Sequence, residues 1–159
     1  PESARFGDEG QAWEIVGYSL RNERLGIPRF TLARAALDRS VQMLKDAGDF
    51  DGDYVKIEAA RCAALCEAAG TANYAVVQRR VDGLAIGAES SSARYATVMA
   101  ERAVCEFVIE FLPEALAGAS PYLKMHHQRG IVAGVAAGSA EIQLNIIASE
   151  VLELPREPR

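Results

Sequence analysis

A chain of 159 residues can bury one sizeable core but leaves little room for a second domain. Half of its residues are apolar and a quarter are charged, which excludes both a disordered tail and a membrane protein. A formal net charge of −5 excludes the basic stripe of a general nucleic-acid binder. The three cysteines are too few and too scattered for a disulfide framework, so they read as free thiols in a reducing compartment, the cytoplasm. The sequence starts at Pro1 without a methionine or a signal-like apolar block, and it reads as a piece of something longer.

Alanine dominates the apolar residues, aromatics are only 7%, and no long stretch alternates apolar with polar. That composition predicts an all-α fold. Breakers over 46–53, 82–90 and 113–121 predict loops. Helical blocks are expected at about 10–48, 54–82, 91–112, 122–136 and 139–153. In the first block Trp13, Val16, Leu20, Glu23, Ile27, Phe30, Arg34, Leu37, Val41 and Leu44 alternate steps of three and four, which places them in one helical stripe. Pro28 lacks an N–H and its ring crowds the Arg24 carbonyl, so a kink is expected beside Gly26. The second block lines Ala60, Ala64, Ala68, Ala72 and Ala75 on a face that a neighbouring helix can approach closely. In the third, Tyr95, Val98, Cys105, Ile109 and Leu112 keep step, with Arg102 interrupting. The last carries Leu144, Ile147, Val151 and Leu154 before Pro155. Four long helices with short loops predict an antiparallel, up-and-down four-helix bundle, with a shorter fifth helix after Gly138.

Glu23 and Arg34 are the only charges on the first stripe. A carboxylate facing a core is desolvated, and desolvation raises basicity, so Glu23 is a candidate general base. The structural alternative places it at the stripe's edge, paired with an arginine of another helix. Gly130, Gly134 and Gly138 recur every four residues in an apolar run too short to span a bilayer. They allow another helix or a flat ligand to approach. Gly138 followed by Ser139 is also a helix start suited to an anion. Cys62 and Cys66 share a helix face, but no histidine stands at metal-ligand spacing, so no metal site is expected. Lys124, His126, His127 and Arg129 read as a solvated basic face.

The run Gly138-Ser139-Ala140-Glu141-Ile142-Gln143-Leu144-Asn145-Ile146-Ile147-Ala148, continuing to Leu154-Pro155-Arg156, resembles the C-terminal signature of acyl-CoA dehydrogenases. In that family a Gly-Thr-x-Glu-Ile-Gln-Arg-Asn-Ile-Ile-Ala segment ends in Leu-Gly-Leu-Pro. Gly7-Asp8-Glu9-Gly10-Gln11-Ala12-Trp13 is similar to the segment leaving the family's β-domain, and Asn22-Glu23-Arg24 to an Asn-Glu-Arg of its first C-terminal helix. The resemblance covers nearly the whole chain.

It implies a three-domain flavoenzyme in which residues 1–9 are the remnant of a linker from a missing β-domain. Residues 10–154 would form the C-terminal helical bundle, and 155–159 a tail. The family removes the α-proton of an acyl-CoA thioester while a β-hydride passes to the flavin of FAD, and electrons then go to an electron-transfer flavoprotein. One subgroup carries the base just before the Gly-Thr, where this chain has Ala137. Another carries it in the first helix of this domain, where this chain has Glu23. The resemblance therefore implies Glu23 as the base, with Gly138, Ser139 and Glu141 toward the cofactor. Assembly as a homo- or hetero-oligomer, dimer or tetramer, is implied too, with the isolated chain colourless and inactive.

Several positions depart from the pattern. Lys45 to Asp53 is acidic where members carry Arg-x-x-Phe-Gly against a neighbour's FAD. Leu112 to Ala119 lacks their glycine-rich segment, Ser139 replaces threonine, and Leu144 replaces arginine. Some actinobacterial steroid-degrading relatives share one flavin between unlike subunits. The alternative implied is a non-catalytic oligomerisation subunit of such a heteromer that has lost its own flavin site. Fatty, branched and steroid acyl groups remain equal candidates.

Overall fold

The computed structural model describes residues 5–23, 27–135 and 138–155. Among the described residues six α-helices follow one another: α1 (Ala12–Glu23), α2 (Ile27–Ala47), α3 (Asp53–Val81), α4 (Glu89–Phe111), α5 (Pro121–Ile131) and α6 (Ala140–Glu150). A five-residue π-helical turn, Ala115–Ala119, lies between α4 and α5. Among the described residues there is no strand, so the all-α expectation holds.

Local chemistry sets the helix ends. Beyond α2, the Asp49 N–H reaches the Leu44 carbonyl at 2.9 Å and the Gly48 N–H reaches Lys45 at 3.1 Å. These paired bonds close a turn that needs a left-handed residue, and Gly48 supplies it with φ 80°. Gly83 closes α3 in the same way, with Leu84 bonded to Arg79 at 2.9 Å. Ser120 starts α5 by accepting from the Leu123 N–H at 3.4 Å, with Pro121 in the first turn.

Side-chain pairs set the directions. Along α3 and α4, Tyr54 donates to Glu110, Cys62 to the Ala103 carbonyl, and Asn73 to Thr97, and Arg79 pairs with Glu89. Rising numbers on one helix meet falling numbers on the other, so the two run antiparallel. Arg34 with Glu67, and Phe30 edge-on to Tyr74 at 6.1 Å, give the same relation between α2 and α3. The main core joins Phe30, Leu37 and Leu44 of α2, Cys62 and Cys66 of α3, Val104, Phe107 and Val108 of α4, and Leu123 of α5. Small residues on the facing sides, Ala59 and Ala69 against Ala100 and Ala103, narrow the gap between the helices. A second, smaller cluster of Val98, Ala133 and Ala140 holds α6 to α4. The fourth place in the expected bundle is thus divided among the π turn, α5 and α6.

Several expectations need correction. The 10–48 block is described as α1 and α2, on either side of residues 24–26; Pro28, where the kink is expected, lies in the first turn of α2, and Arg24 and Gly26 beside it fall outside the described residues. The stripe is buried only in its second half: Phe30, Leu37 and Leu44 are buried, but Trp13 is 85% exposed and Val16 and Leu20 are exposed too. The alanine face of α3 is largely uncovered among the described residues: Ala60, Ala64, Ala68 and Ala75 are exposed and Ala72 is half-buried. Its buried face is instead Val55, Ala59, Cys62, Cys66, Ala69, Asn73 and Val76. Ile109 of the α4 stripe is exposed, and so are Leu144, Val151 and Leu154 of the last one, where Ala140 and Gln143 are buried instead. The glycines do not share a helix face, since α5 stops at Ile131 and both Gly134 and Gly138 take positive φ. His126, expected in water, is buried, and burial, helped by Arg129 and His127, pushes its pKa down to about 4.

Two predictions follow from this packing. A Cβ at Gly130 would overlap the Cys105 sulfur where α5 crosses α4. Gly130→Ala should therefore destabilise by about 1–3 kcal/mol despite alanine's helix propensity, and Cys105→Ala should recover part of that loss, as read by urea denaturation. His126 stays neutral in the fold down to about pH 4, whereas the unfolded chain protonates it near its ordinary value of about 6.5. Below that value the unfolded state binds the extra proton, so this group's contribution to stability falls as pH drops toward 4. Its slope reaches at most about 1.4 kcal/mol per pH unit. Denaturation between pH 7 and 4.5 should show His126→Gln losing less stability than the parent; parallel curves would contradict this.

Candidate functional site

Glu23 is the last residue of α1 and is exposed, so it does not face the core of this chain. No other described helix packs extensively on α1, which leaves Trp13, Val16, Tyr18 and Leu20 uncovered beside it. At a helix C-terminus the orphan carbonyls carry partial negative charge, and a carboxylate there is better placed near a cation.

A buried cation lies on α4. Arg94 is 1% exposed, and the charges acting on its guanidinium are Arg29 of α2, Glu101 of α4 and Glu23 of α1. Burial lowers the Arg94 pKa, with Arg29 adding to the effect and Glu101 and Glu23 opposing it. Arg29 Nε stands 3.3 Å from Glu101 Oε1, and Glu101 Oε2 has no hydrogen-bond partner. Burial raises the Glu101 pKa against the pull of Arg29, Arg94 and Arg129. The sequence reading missed Arg94 and Glu101. They are seven residues apart, hence on one face, and that face also carries the buried Val98 and Cys105. Opposite charges two turns apart among core positions were the available signal.

Arg34, the other charge on the stripe, is half-exposed and bound to Asp38 and Glu67. It is a surface ion pair, and burial plays the smaller part: the hydrogen bond and charge of Asp38 raise its pKa.

Gly138, Ser139 and Glu141 come together at the start of α6. Ser139 Oγ accepts from the Ile142 N–H at 3.3 Å. The Glu141 carboxyl is held below its usual range by its own backbone N–H and then by the Ser139 hydroxyl. This helix start already carries an anion of its own, so it suits hydroxyl or amide donors better than phosphate. Behind it Gln143 is fully buried, and among the described residues neither its amide nitrogen nor its amide oxygen has a partner. Gly138 has φ 88°, a conformation that favours glycine, and a Cβ there would displace the Gln143 amide nitrogen. A buried amide with both ends open beside a Gly-Ser turn fits the hydroxyl-bearing part of a cofactor. Ala137 lies outside the described residues.

A cleft of about 800 Å³ lies between α1 and the turn after α3 and is lined by Phe6, Ile15, Tyr18, Arg80, Leu84 and Ile86. Glu23 does not line it. All three cysteines are buried, with thiols pushed up to about 11 for Cys62 and Cys66 and about 12 for Cys105, so they are unreactive. Among the described residues no group of His, Cys, Asp and Glu could hold a metal ion. No described helix is long and apolar enough to cross a membrane.

Residues 10–152 match the family model described as acyl-CoA dehydrogenase, C-terminal domain. No curated protein matches the sequence. Among solved structures, a probable acyl CoA dehydrogenase from Mycobacterium abscessus superposes with TM-score 0.83 at 22% identity over 91% of this chain. A glutaryl-coenzyme A dehydrogenase in complex with glutaryl-CoA gives TM-score 0.87 at 23% identity over 100% of this chain. The Tcur3481-Tcur3483 steroid ACAD gives 0.78 at 19% over 95%. At these identities the superpositions show the fold alone. This chain spans 40% of the first of those structures and 42% of the other two. With a family model matched from α1 to beyond α6 and a fold shared along its length, the chain belongs to the acyl-CoA dehydrogenase family, as its C-terminal helical domain.

Proposed function

We propose that the protein carrying this domain is an FAD-dependent acyl-CoA dehydrogenase and that Glu23 is its α-proton base. The supporting observation is the placement of Glu23 at the exposed end of α1, on the same helix as an uncovered apolar face. The carboxylate takes the proton from the carbon next to the thioester carbonyl and becomes a carboxylic acid. Trp13, Val16 and Leu20, once covered by the rest of the protein and the acyl chain, exclude water around that transfer. Gly138, Ser139, Glu141 and Gln143 hold the cofactor's hydroxyl-bearing part. When bound, the flavin supplies the acceptor for the hydride that leaves the β-carbon. An electron-transfer flavoprotein is the onward acceptor in this reading, and the cytoplasm is the compartment.

In the full-length protein, Glu23→Gln keeps the side chain's shape and removes its basicity. Flavin content and folding should be unchanged, while reduction of the flavin by acyl-CoA should slow by about 10²–10⁴-fold. Reduction at the parent rate would sink the assignment.

A second reading, a non-catalytic subunit of a heteromer, draws on charge. The turn between α2 and α3 carries exposed Asp46, Asp49, Asp51 and Asp53, and the α6 start carries Glu141; both repel phosphate. Flavin retained by the full-length protein purified without a partner favours the first reading, and flavin retained only with an unlike chain favours the second. Both readings use the open surfaces for assembly: the alanine face of α3, and Ile142, Leu144 and Val151 on α6. Light scattering should give at least a dimer, and a monomer mass at high concentration would contradict it.

A further inference from the structure

We propose that the C-terminal end of α6 is a two-position switch that moves Leu154 from one face of the helix to another. In the position seen in the structure, α6 stops at Glu150 and the chain turns back on itself. The Leu152 N–H donates to the Ile147 carbonyl at 3.2 Å, and the Leu154 N–H to the Ala148 carbonyl at 3.0 Å. Such a turn needs a left-handed residue, and Glu153 takes that place with φ 51°. After α2 and α3 the corresponding places are filled by Gly48 and Gly83. Among the described residues Glu153 is the one residue other than glycine with a positive φ. A side chain is strained in that conformation, and such strain gathers at segments that change shape.

The turn gains little burial to set against that strain, since Val151, Leu152 and Leu154 are each more than half exposed. Leu154 and Pro155 line a cleft of about 410 Å³ together with Ile142, Asn145, Ile146 and Ser149, which share one face of α6 by their spacing. Leu144, Ile147 and Val151 lie on a different face, and Leu154 stands three residues beyond Val151. In the second position α6 runs on through Glu153, the length its sequence pattern predicts, and Pro155 stops it. Glu153 is then helical and relaxed. Leu154 leaves the cleft and completes the stripe of Leu144, Ile147 and Val151. Glu153 also comes within one turn of Glu150, and repulsion between the two carboxylates keeps the longer helix from winning outright. A contact on the stripe selects the long helix, and a contact on the folded-back turn selects the short one.

The test uses the full-length protein carrying Asn145→Cys and Leu154→Cys, two positions that line the same cleft only in the folded-back position. Disulfide formation with oxidised glutathione is timed, and amide exchange is followed over residues 151–154. The three native cysteines of this domain are buried and do not compete. Glu153→Val is excluded from the left-handed conformation but accepted in a helix. It should slow cross-linking by about 5–30-fold while the amide of residue 153 becomes protected through a helical bond to Ser149. Glu153→Gly removes the strain and should cross-link at least as fast as the parent, with that amide exchanging freely. Slow cross-linking by Glu153→Val with fast exchange throughout residues 152–154 would mean that the end frays instead of lengthening, and would overturn the switch. Cross-linking by Glu153→Val at the parent rate would overturn it too. Should the introduced cysteines themselves disturb the turn, exchange at residue 153 in the two single variants decides. Slower exchange in Glu153→Val than in Glu153→Gly supports the switch, and equal exchange overturns it.

Discussion

Helix α4 is the constraint on which the rest of the structure depends. It packs against α2, α3, α5 and α6, and buried residues occur all round it, from Ser90 to Val108. A helix covered on so many sides must satisfy its polar groups internally. Thr97 therefore donates back to the Ala93 carbonyl and receives Asn73, and Glu101 meets Arg29. Its small residues decide how close the neighbours come, and Cys105 fits only because α5 presents Gly130 there. The approach of α2, α3 and α5 is thus set by one helix, and so is the placement of Arg94.

Away from α4 the molecule presents surfaces with nothing against them. The start of the chain and α1 expose Phe6, Trp13, Val16, Tyr18 and Leu20; α6 and its flanks expose Ile131, Val135, Ile142, Val151 and Leu152. Apolar surface of this extent marks places where other protein or a ligand belongs. The family match supplies the context, since this domain is 40–42% of the length of the structures it superposes on. The proposed chemistry lies at such an open margin, at the end of α1.

The fold class was legible because the breakers are strong: Gly48 and Gly83 take the left-handed turns that end α2 and α3, and Ser120-Pro121 starts α5. Burial was less legible. A stripe at helical spacing shows which residues share a face, but not whether anything covers that face, and so the first half of the Trp13-to-Leu44 stripe is exposed while the second is core. The alanine face of α3 is open for the same reason: its spacing shows a close-approach surface but not what covers it. His126 was misread because adjacent charges, Lys124 and Arg129, suggested water where the α4 contact imposes burial. At the candidate site, Glu23 stood out as a charge on an apolar stripe, whereas Arg94 and Glu101 were hidden in a helix whose four-sided burial depends on contacts across the whole chain.

The central claim is that the end of α1 carries the proton acceptor. A structure of the full-length protein with FAD and a non-reacting acyl-CoA analogue tests it most directly. The account predicts a Glu23 carboxylate oxygen about 3–3.5 Å from the carbon next to the thioester carbonyl. An analogue whose reacting carbon faces a different carboxylate, with Glu23 turned to water, would contradict it.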